Sequence, residues 1–246
     1  MDNALLVSLS QQLAAYRSMD VIANNLANLS TPAFKREAVK FEEFVQQVQP
    51  SEGQSGPQTV SFVQDTGVVR DLSEGRLERT GAPYDLAING KGYFVVQTDA
   101  GERYTRNGHL TLNSDGQLIT DSGDPIQGDG GPIVVTVDDG DIHIAADGTV
   151  SGKQGQMGKL KIVDFSDQRA LKKEGDSLYS TAQSPTAAAA NTRIMQGTLE
   201  TSNVEPVIEI SRMIEIMRTY QATATLAQSQ NDLKRQAIEK LGSTPN

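Results

Sequence analysis

Cysteine and tryptophan are absent from this sequence of 246 residues. Without cysteine there is no disulfide scaffold, no thiolate zinc site and no cysteine nucleophile. Histidine occurs only twice, at His109 and His143, too few for a histidine-rich metal site. Aromatic residues make up 5%, so aromatic clusters are expected to add little to the core. Positive charge is scarce: 22 Lys and Arg stand against 31 Asp and Glu, a formal net charge of −9. A nucleic-acid binder needs a basic face, and docking on anionic lipid needs a basic cluster, so neither partner is expected. No run approaches the roughly 18 apolar residues of a membrane-spanning helix. The chain opens Met1-Asp2-Asn3, with an acid where a secretory leader carries basic residues. Export, if it occurs, is therefore expected without a cleavable leader.

What is present falls into blocks. Leu6, Leu9, Leu13, Tyr16, Met19, Ile22, Leu26 and Leu29 recur at gaps of three or four, the stripe of a helix. Ser30-Thr31-Pro32 stops it, because the residue before a proline is pushed out of the helical region. Residues 33–78 mix Gln, Ser, Gly and Pro with short apolar runs, and Pro50 to Pro57 reads as a flexible or surface link. From 79 the pattern is β. Leu86-Ala87-Ile88 and Tyr93-Phe94-Val95-Val96 flank Asn89-Gly90-Lys91-Gly92. Asn107-Gly108, Asp115-Gly116, Ser122-Gly123, Asp129-Gly130, Asp139-Gly140 and Asp147-Gly148 then follow at short intervals. Such dipeptides suit turns with positive φ and point to antiparallel strands. Four alanines, 187–190, mark a second link. Val207, Ile210, Ile214, Met217, Tyr220, Ala224 and Ala227 restore the helical period, with Ser202 or Asn203 as the expected cap and Pro206 in the first turn.

The expected fold class is α+β. Long terminal helices pair as a coiled-coil-like bundle, with a central, mostly antiparallel β domain and an extended connecting arm. The boundaries read 1–32 for the first helix, 33–78 for the arm, 79–185 for the β domain, 186–203 for a linker and 204–246 for the last helix. An isolated helix is marginal in water and gains its stability by packing an apolar face. The polar faces carry little charge: residues 1–30 hold only Asp2, Arg17 and Asp20, and residues 219–231 hold none. A solvated helix usually carries charge on its outer face, so this pattern suits a crowded helical assembly. An ordinary helical hairpin packed on the β module is the alternative.

Three stretches carry a family resemblance. Met19 to Lys35, reading Met-Asp-Val-Ile-Ala-Asn-Asn-Leu-Ala-Asn-Leu-Ser-Thr-Pro-Ala-Phe-Lys, resembles the amino-terminal signature of bacterial flagellar rod and hook proteins. Leu86 to Val96, extended by Tyr104-Thr105-Arg106-Asn107-Gly108, resembles their central motif, and Gly197 to Val204 resembles the approach to their carboxy-terminal helix. Ala33 departs from the pattern by standing where the family often has Gly. A positive φ there would cost an alanine, so a different turn is expected at this position. The resemblance implies a subunit of the tube that links the membrane-embedded rotor to the hook, with the terminal helices on the inside and the β domain outside. It also implies export through the flagellar type III apparatus and, as partners, other rod proteins and copies of this chain.

The residues expected to pack helices in such an assembly are Leu6, Leu9, Leu13, Ile22, Leu26, Val207, Ile210, Ile214 and Met217. Asn24 and Asn28 share a helix face with Asn25 beside them. They form an amide ladder that sets register, as a buried Asn does in coiled coils, or else a polar helix end. Gln221, Thr225 and Gln228, with Asp232, lie near one face and read as lumen-facing or as exposed polar filler. No catalytic residue, metal site or cofactor is expected. Asn113 to Gly116 and Asp138 to Asp141 lack the spaced acids and terminal Glu of a calcium loop, and no Gly-x-Ser-x-Gly elbow occurs. A secreted β-rich binding module on a helical stalk is the rival from another class.

Overall fold

Residues 2–48, 58–136 and 142–242 are described in the computed structural model of the chain. The Pro50 to Pro57 link and the Asp138 to Asp141 stretch lie outside the described residues. Two compact units emerge. One takes Met1–Ala27, Glu37–Arg70 and Glu205–Asn246, and the other takes Asn28–Arg36 and Asp71–Val204.

The first unit is built from two helices and a hairpin. Helix α1 spans Asp2–Ala27 and stops short of the Ser30-Thr31-Pro32 breaker, as the proline requires. Helix α2 spans Pro206–Gly242, with proline as its first residue. The Glu205 carbonyl accepts from the N–H groups of Ile208 and Glu209, so Glu205 holds the capping position expected for Ser202 or Asn203. Residues 37–70, expected as an extended arm, form a long antiparallel ribbon. Strand β1 (Glu37–Val48) pairs with β2 (Gln58–Arg70) from Glu37 opposite Arg70 to Val48 opposite Gln58, with one bulge after Lys40. A two-stranded hairpin is marginal by itself. Here α1 packs on both strands and on α2.

The second unit is built of β strands with one short 3-10 turn, Gln168–Ala170, and among the described residues every strand pairing in it is antiparallel. Strand β3 (Leu77–Arg79) pairs with Thr198–Glu200, and β4 (Leu86–Asn89) pairs with Arg193–Gln196. The main sheet has six strands. In order they are Lys172–Lys173, Leu178–Ser180, β6 (Gly101–Thr105), β5 (Tyr93–Thr98), Ile162–Asp164 and Thr186–Ala187. The stretch 186–203, read as a linker, thus supplies three strands. Alanines give no apolar alternation to mark a strand.

Strand β5 explains the two cores. Its four apolar residues alternate faces. Phe94 and Val96 join Leu86, Ile88, Leu118, Ile126 and Val150 on one side, while Tyr93 and Val95 join Tyr104, Val163, Phe165 and Tyr179 on the other. The second side is an aromatic cluster. Tyr104 and Phe165 lie 4.7 Å apart, and Tyr93 stands 5.8 Å from Tyr179 and 6.0 Å from Phe165. Aromatics are few, but they are concentrated here, contrary to the composition-based expectation. The Asn-Gly, Asp-Gly and Ser-Gly dipeptides also split. Gly90, Gly116, Gly123 and Gly148 take positive φ, whereas Gly108 does not. Gly108 is required for close approach, because a Cβ there would sit 1.8 Å from the Leu86 carbonyl oxygen.

Candidate assembly interface

A buried clasp closes the β unit around its amino-terminal segment. Glu200 lies at the end of the strand Thr198–Glu200 and is fully buried. Its Oε1 accepts from Lys35 Nζ at 2.5 Å and from the Gly75 N–H at 2.9 Å, and its Oε2 accepts from Arg106 Nε at 2.8 Å. Lys35 also donates to the Ser73 carbonyl at 2.7 Å. The remaining Arg106 nitrogens donate to the carbonyls of Ile88, Gly90 and Gly92, each at 3.1 Å. Burial alone would push the Glu200 carboxyl up, but Arg106 and Lys35 hold it below its ordinary range. Burial pulls the Lys35 ammonium down, and Glu200 offsets this only in part.

Residues 33–36 run alongside both neighbours of this clasp. The Ala33 N–H donates to the Glu200 carbonyl at 2.7 Å, and the Arg36 N–H donates to Asn203 Oδ1 at 2.6 Å. Asn203 Nδ2 donates to the Asp71 and Ser73 carbonyls, each at 3.1 Å, which explains why this residue does not cap α2. Ala33 is buried with φ of 57°, so the turn is left-handed despite the missing glycine. That corrects the expectation of a different turn. The hydrogen bond to Glu200 and the surrounding packing hold the strained residue in place.

Lys35, Arg106 and Glu200 each lie within one of the three motifs, and periodicity and turn chemistry give none of them a role. Glu200 is the one charge in Gly197 to Val204, set among small, neutral and apolar neighbours, whereas Lys35 is followed by Arg36 and Glu37, and Arg106 lies three residues after Arg103. Buried charges are paired or coordinate metals, so a lone acid such as Glu200 points to basic partners from elsewhere in the chain.

The helical unit has its own polar joint. Asn25 is fully buried. Its side chain accepts from the Glu37 N–H at 2.9 Å and donates to the Glu37 carbonyl at 2.8 Å, pairing with the backbone as a strand would. Its Nδ2 also donates to Glu209 Oε2 at 3.0 Å, and Glu209 Oε1 accepts from Arg212 at 2.7 Å. Asn24 is exposed, and Asn28, in the other unit, accepts from the Thr31 hydroxyl at 3.2 Å. Of the three amides, Asn25 is the one that ties α1 to α2.

The predicted apolar residues divide between inside and outside. Ile22 is buried and Leu26 half-buried. Leu6, Leu9 and Leu13 are exposed, Leu13 at 63%, and so are Val207 at 76%, Ile210, Ile214 and Met217. Among the described residues the buried and half-buried positions of α2 are Glu209, Met213, Ile216, Tyr220, Thr223, Ala224, Ala227, Gln230 and Lys234. Glu209, Met213 and Ile216 lie one residue, or roughly 100°, before the predicted Ile210, Ile214 and Met217, whereas Tyr220, Ala224 and Ala227 belong to the predicted stripe itself. Within one chain, therefore, the first part of the predicted stripe, Val207 to Met217, faces outward, while its last part, Tyr220, Ala224 and Ala227, is half-buried. Gln221, Thr225 and Gln228 are exposed on α2, and the Thr225 hydroxyl donates to the Gln221 carbonyl at 2.9 Å.

The positions considered for other chemistry have local duties. Asn113 Oδ1 accepts from the N–H groups of Asp115 and Gln117, forming a turn. His109 Nδ1 lies 2.7 Å from Asp85 Oδ1, while His143 sits exposed on a short strand. Among the described residues no helix is long and apolar enough to cross a membrane.

Comparison with known proteins places this arrangement. A family model described as flagella basal body rod protein matches residues 5–35. One described as flagellar hook protein FlgE/F/G D1 domain matches 87–152, and one described as flagellar basal body rod FlgEFG protein C-terminal matches 195–240. The flagellar basal-body rod protein FlgF of Caulobacter vibrioides is 42% identical over 98% of this chain and 99% of its own length. The chain belongs to the flagellar basal-body rod protein family. FlgF of Mesorhizobium japonicum is 33% identical over 99% of each chain. FlgG of Bacillus subtilis is 31% identical over 89% of this chain and 92% of its own. Each of the three matched stretches contributes one member of the clasp: Lys35, Arg106 and Glu200.

Proposed function

We propose that this chain is a structural, non-enzymatic subunit of the flagellar basal-body rod, of the FlgF kind found in the proximal rod. The observation that carries the reading is similarity to FlgF along essentially the whole chain, at 42% identity. The exposed apolar stripes support it. Leu6, Leu9, Leu13 and Tyr16 on α1 have the same three-four-three spacing as Val207, Ile210, Ile214 and Met217 on α2, and all eight are exposed. Stripes of this mean period are the seams of coiled coils. In the assembly they pack between subunits, with Asn24 and Asn28 setting register nearby. Different surfaces of one chain then meet along a screw axis, which gives an open tube.

The tube transmits torque and encloses the export channel, which Gln221, Thr225 and Gln228 line. An uncharged lining avoids trapping the charged chains that pass through. The subunit's partners are other rod proteins, copies of itself and the type III export apparatus that delivers it without a cleaved leader to the rod crossing the periplasm. It takes no cofactor.

A FlgG-like place in the distal rod is the second reading, favoured by FlgG relatives that match most of the chain. Cross-complementation separates the two. Expression in Caulobacter vibrioides restores swimming to a strain lacking its own FlgF and not to one lacking FlgG. Rescue of only the FlgG strain establishes the second reading, and rescue of neither, with the protein made and stable, removes both.

A further inference from the structure

A groove of about 570 Å³ runs between α1 and the hairpin. Leu13 and Tyr16 form one wall, and Phe41, Phe44, Phe62 and Val63 form the other. Three of the chain's six phenylalanines thus line a surface groove, and Phe44 is half exposed. A single ion pair, Arg17 to Asp65 at 3.3 Å, sits among these lining residues. An apolar groove walled by a helix and a ribbon is a receptor for an amphipathic helix, which such grooves read as anchors at i, i+3 or i+4, and i+7.

We infer that this groove is the socket for the outward stripe of α2, Val207 through Met217, from a second copy of the chain. The inference rests on the assembly reading above. Leu13 and Tyr16 belong both to the groove wall and to the outward stripe of α1. A helix interlocking with that stripe therefore runs into the phenylalanines, and the α2 stripe has the matching three-four-three spacing. The chain's own α2 cannot fill the groove with this stripe. It is held on α1 through a face rotated by one residue and fixed by the Asn25–Glu209 bond. The stripe is continuous with that internal seam, so one helix joins its own α1 by one face and the next copy by the adjacent one. Exposed Arg212, Glu215 and Arg218 flank the stripe, and the groove's two charges, Arg17 and Asp65, pair with each other and leave its apolar wall neutral.

Size sets where the contact forms. Four side chains bury far less than the roughly 800 Å² per partner of a stable pair. Two copies alone in dilute solution therefore stay apart, and the contact closes only where neighbours in an assembly share the load. Groove and stripe are different surfaces, so the contact is head-to-tail: it does not close as a two-fold dimer, and a screw operation carries it along a tube.

The natural absence of cysteine allows a clean test. One chain carries Phe44→Cys and another carries Ile214→Cys, and both are co-expressed in cells lacking the native gene. Basal bodies are isolated and mildly oxidised. The expected result is a mixed disulfide dimer at least tenfold above that from either variant alone. The inference is overturned if both chains reach the basal body and no mixed dimer forms, an outcome that leaves the rod reading standing. It is equally overturned if Ile214→Cys pairs with itself as well as with Phe44→Cys. Should Phe44→Cys block incorporation, Val63→Cys with Met217→Cys gives the same readout. Failure of the unaltered chain to enter basal bodies removes the rod reading and this inference together.

Discussion

Asn25 and Glu209 lie 184 positions apart, yet the amide of one donates to the carboxylate of the other at 3.0 Å, both fully buried. The same amide holds the first residue of the hairpin through both backbone groups of Glu37. One side chain thus joins three elements of the helical unit: α1, α2 and β1. Truncating it leaves buried backbone groups and a buried carboxylate short of a partner. Asn25→Ala is expected to destabilise the helical unit by about 1–3 kcal/mol. Asn25→Asp is expected to cost more, because it sets a second carboxylate against Glu209. Thermal unfolding followed at 222 nm reads both. Tyrosine signals of the β unit should not move, and an equal loss in both units would refute the local role.

The clasp around Glu200 predicts an acid limb. Its carboxyl is held below the ordinary value of 4.5 in the folded chain. A carboxyl lowered on folding adds stability that is complete above its unfolded pKa and is lost as pH falls through the folded one. Glu200→Gln removes the charge and leaves Lys35 and Arg106 buried without it, which is expected to cost about 3–5 kcal/mol near neutral pH. Below pH 4.5 the gap between the two proteins narrows, because the unfolded chain's carboxyl takes up its proton first and the native carboxyl follows only at lower pH. Urea midpoints at neutral and acid pH measure this, and a gap that stays constant with pH would refute it.

How much of this was readable from the residues depended on the kind of signal. The helices were legible because leucine and isoleucine at gaps of three and four leave few alternatives, and the turns of the β unit were legible from Asn-Gly and Asp-Gly. Which face of the first half of α2 turns inward was not legible, since Ile210, Ile214 and Met217 compete with Met213 and Ile216, and both sets are apolar, whereas Tyr220, Ala224 and Ala227 of the same stripe do turn inward. The hairpin was hidden because Glu37 to Val48 scatters Lys40, Glu42 and Glu43 among its apolar residues. The clasp was hidden because Lys35, Arg106 and Glu200 are far apart in the chain, and composition treats a charge as surface. Neither periodicity nor turn chemistry predicts which distant charges will meet.

Ala33 offers a test of stored strain. A left-handed backbone costs a non-glycine residue about 1–2 kcal/mol. Ala33→Gly relieves this, but loses a buried methyl worth roughly 0.8 kcal/mol and frees the unfolded chain by a further 0.4–1 kcal/mol or so. The opposing effects leave the variant within about 1 kcal/mol of the native protein. Ala33→Val adds a β-branched side chain at φ of 57° in a buried site whose N–H is bonded to Glu200. It is expected to lose about 2 kcal/mol or more, from strain and overpacking together. Urea unfolding of the β unit separates the two substitutions, and a near-neutral valine would show that the turn relaxes freely.

The outward stripes separate stability from assembly. Leu13 and Ile214 are both substantially exposed in the single chain, and surface substitutions away from special features usually change stability by about 0.5 kcal/mol or less. Leu13→Asp and Ile214→Asp should therefore unfold at nearly the native urea concentration as purified monomers. In an assembly the same aspartates are forced into an apolar seam, where an unpaired charge is costly. Both variants should be exported, yet fail to enter basal bodies, and the cells should not swim. Leu13→Met and Ile214→Leu, which keep volume and apolarity, should restore incorporation. Unimpaired swimming with either aspartate would place the stripes outside the subunit contacts, and a large loss of monomer stability would mean that the seam lies within the chain after all.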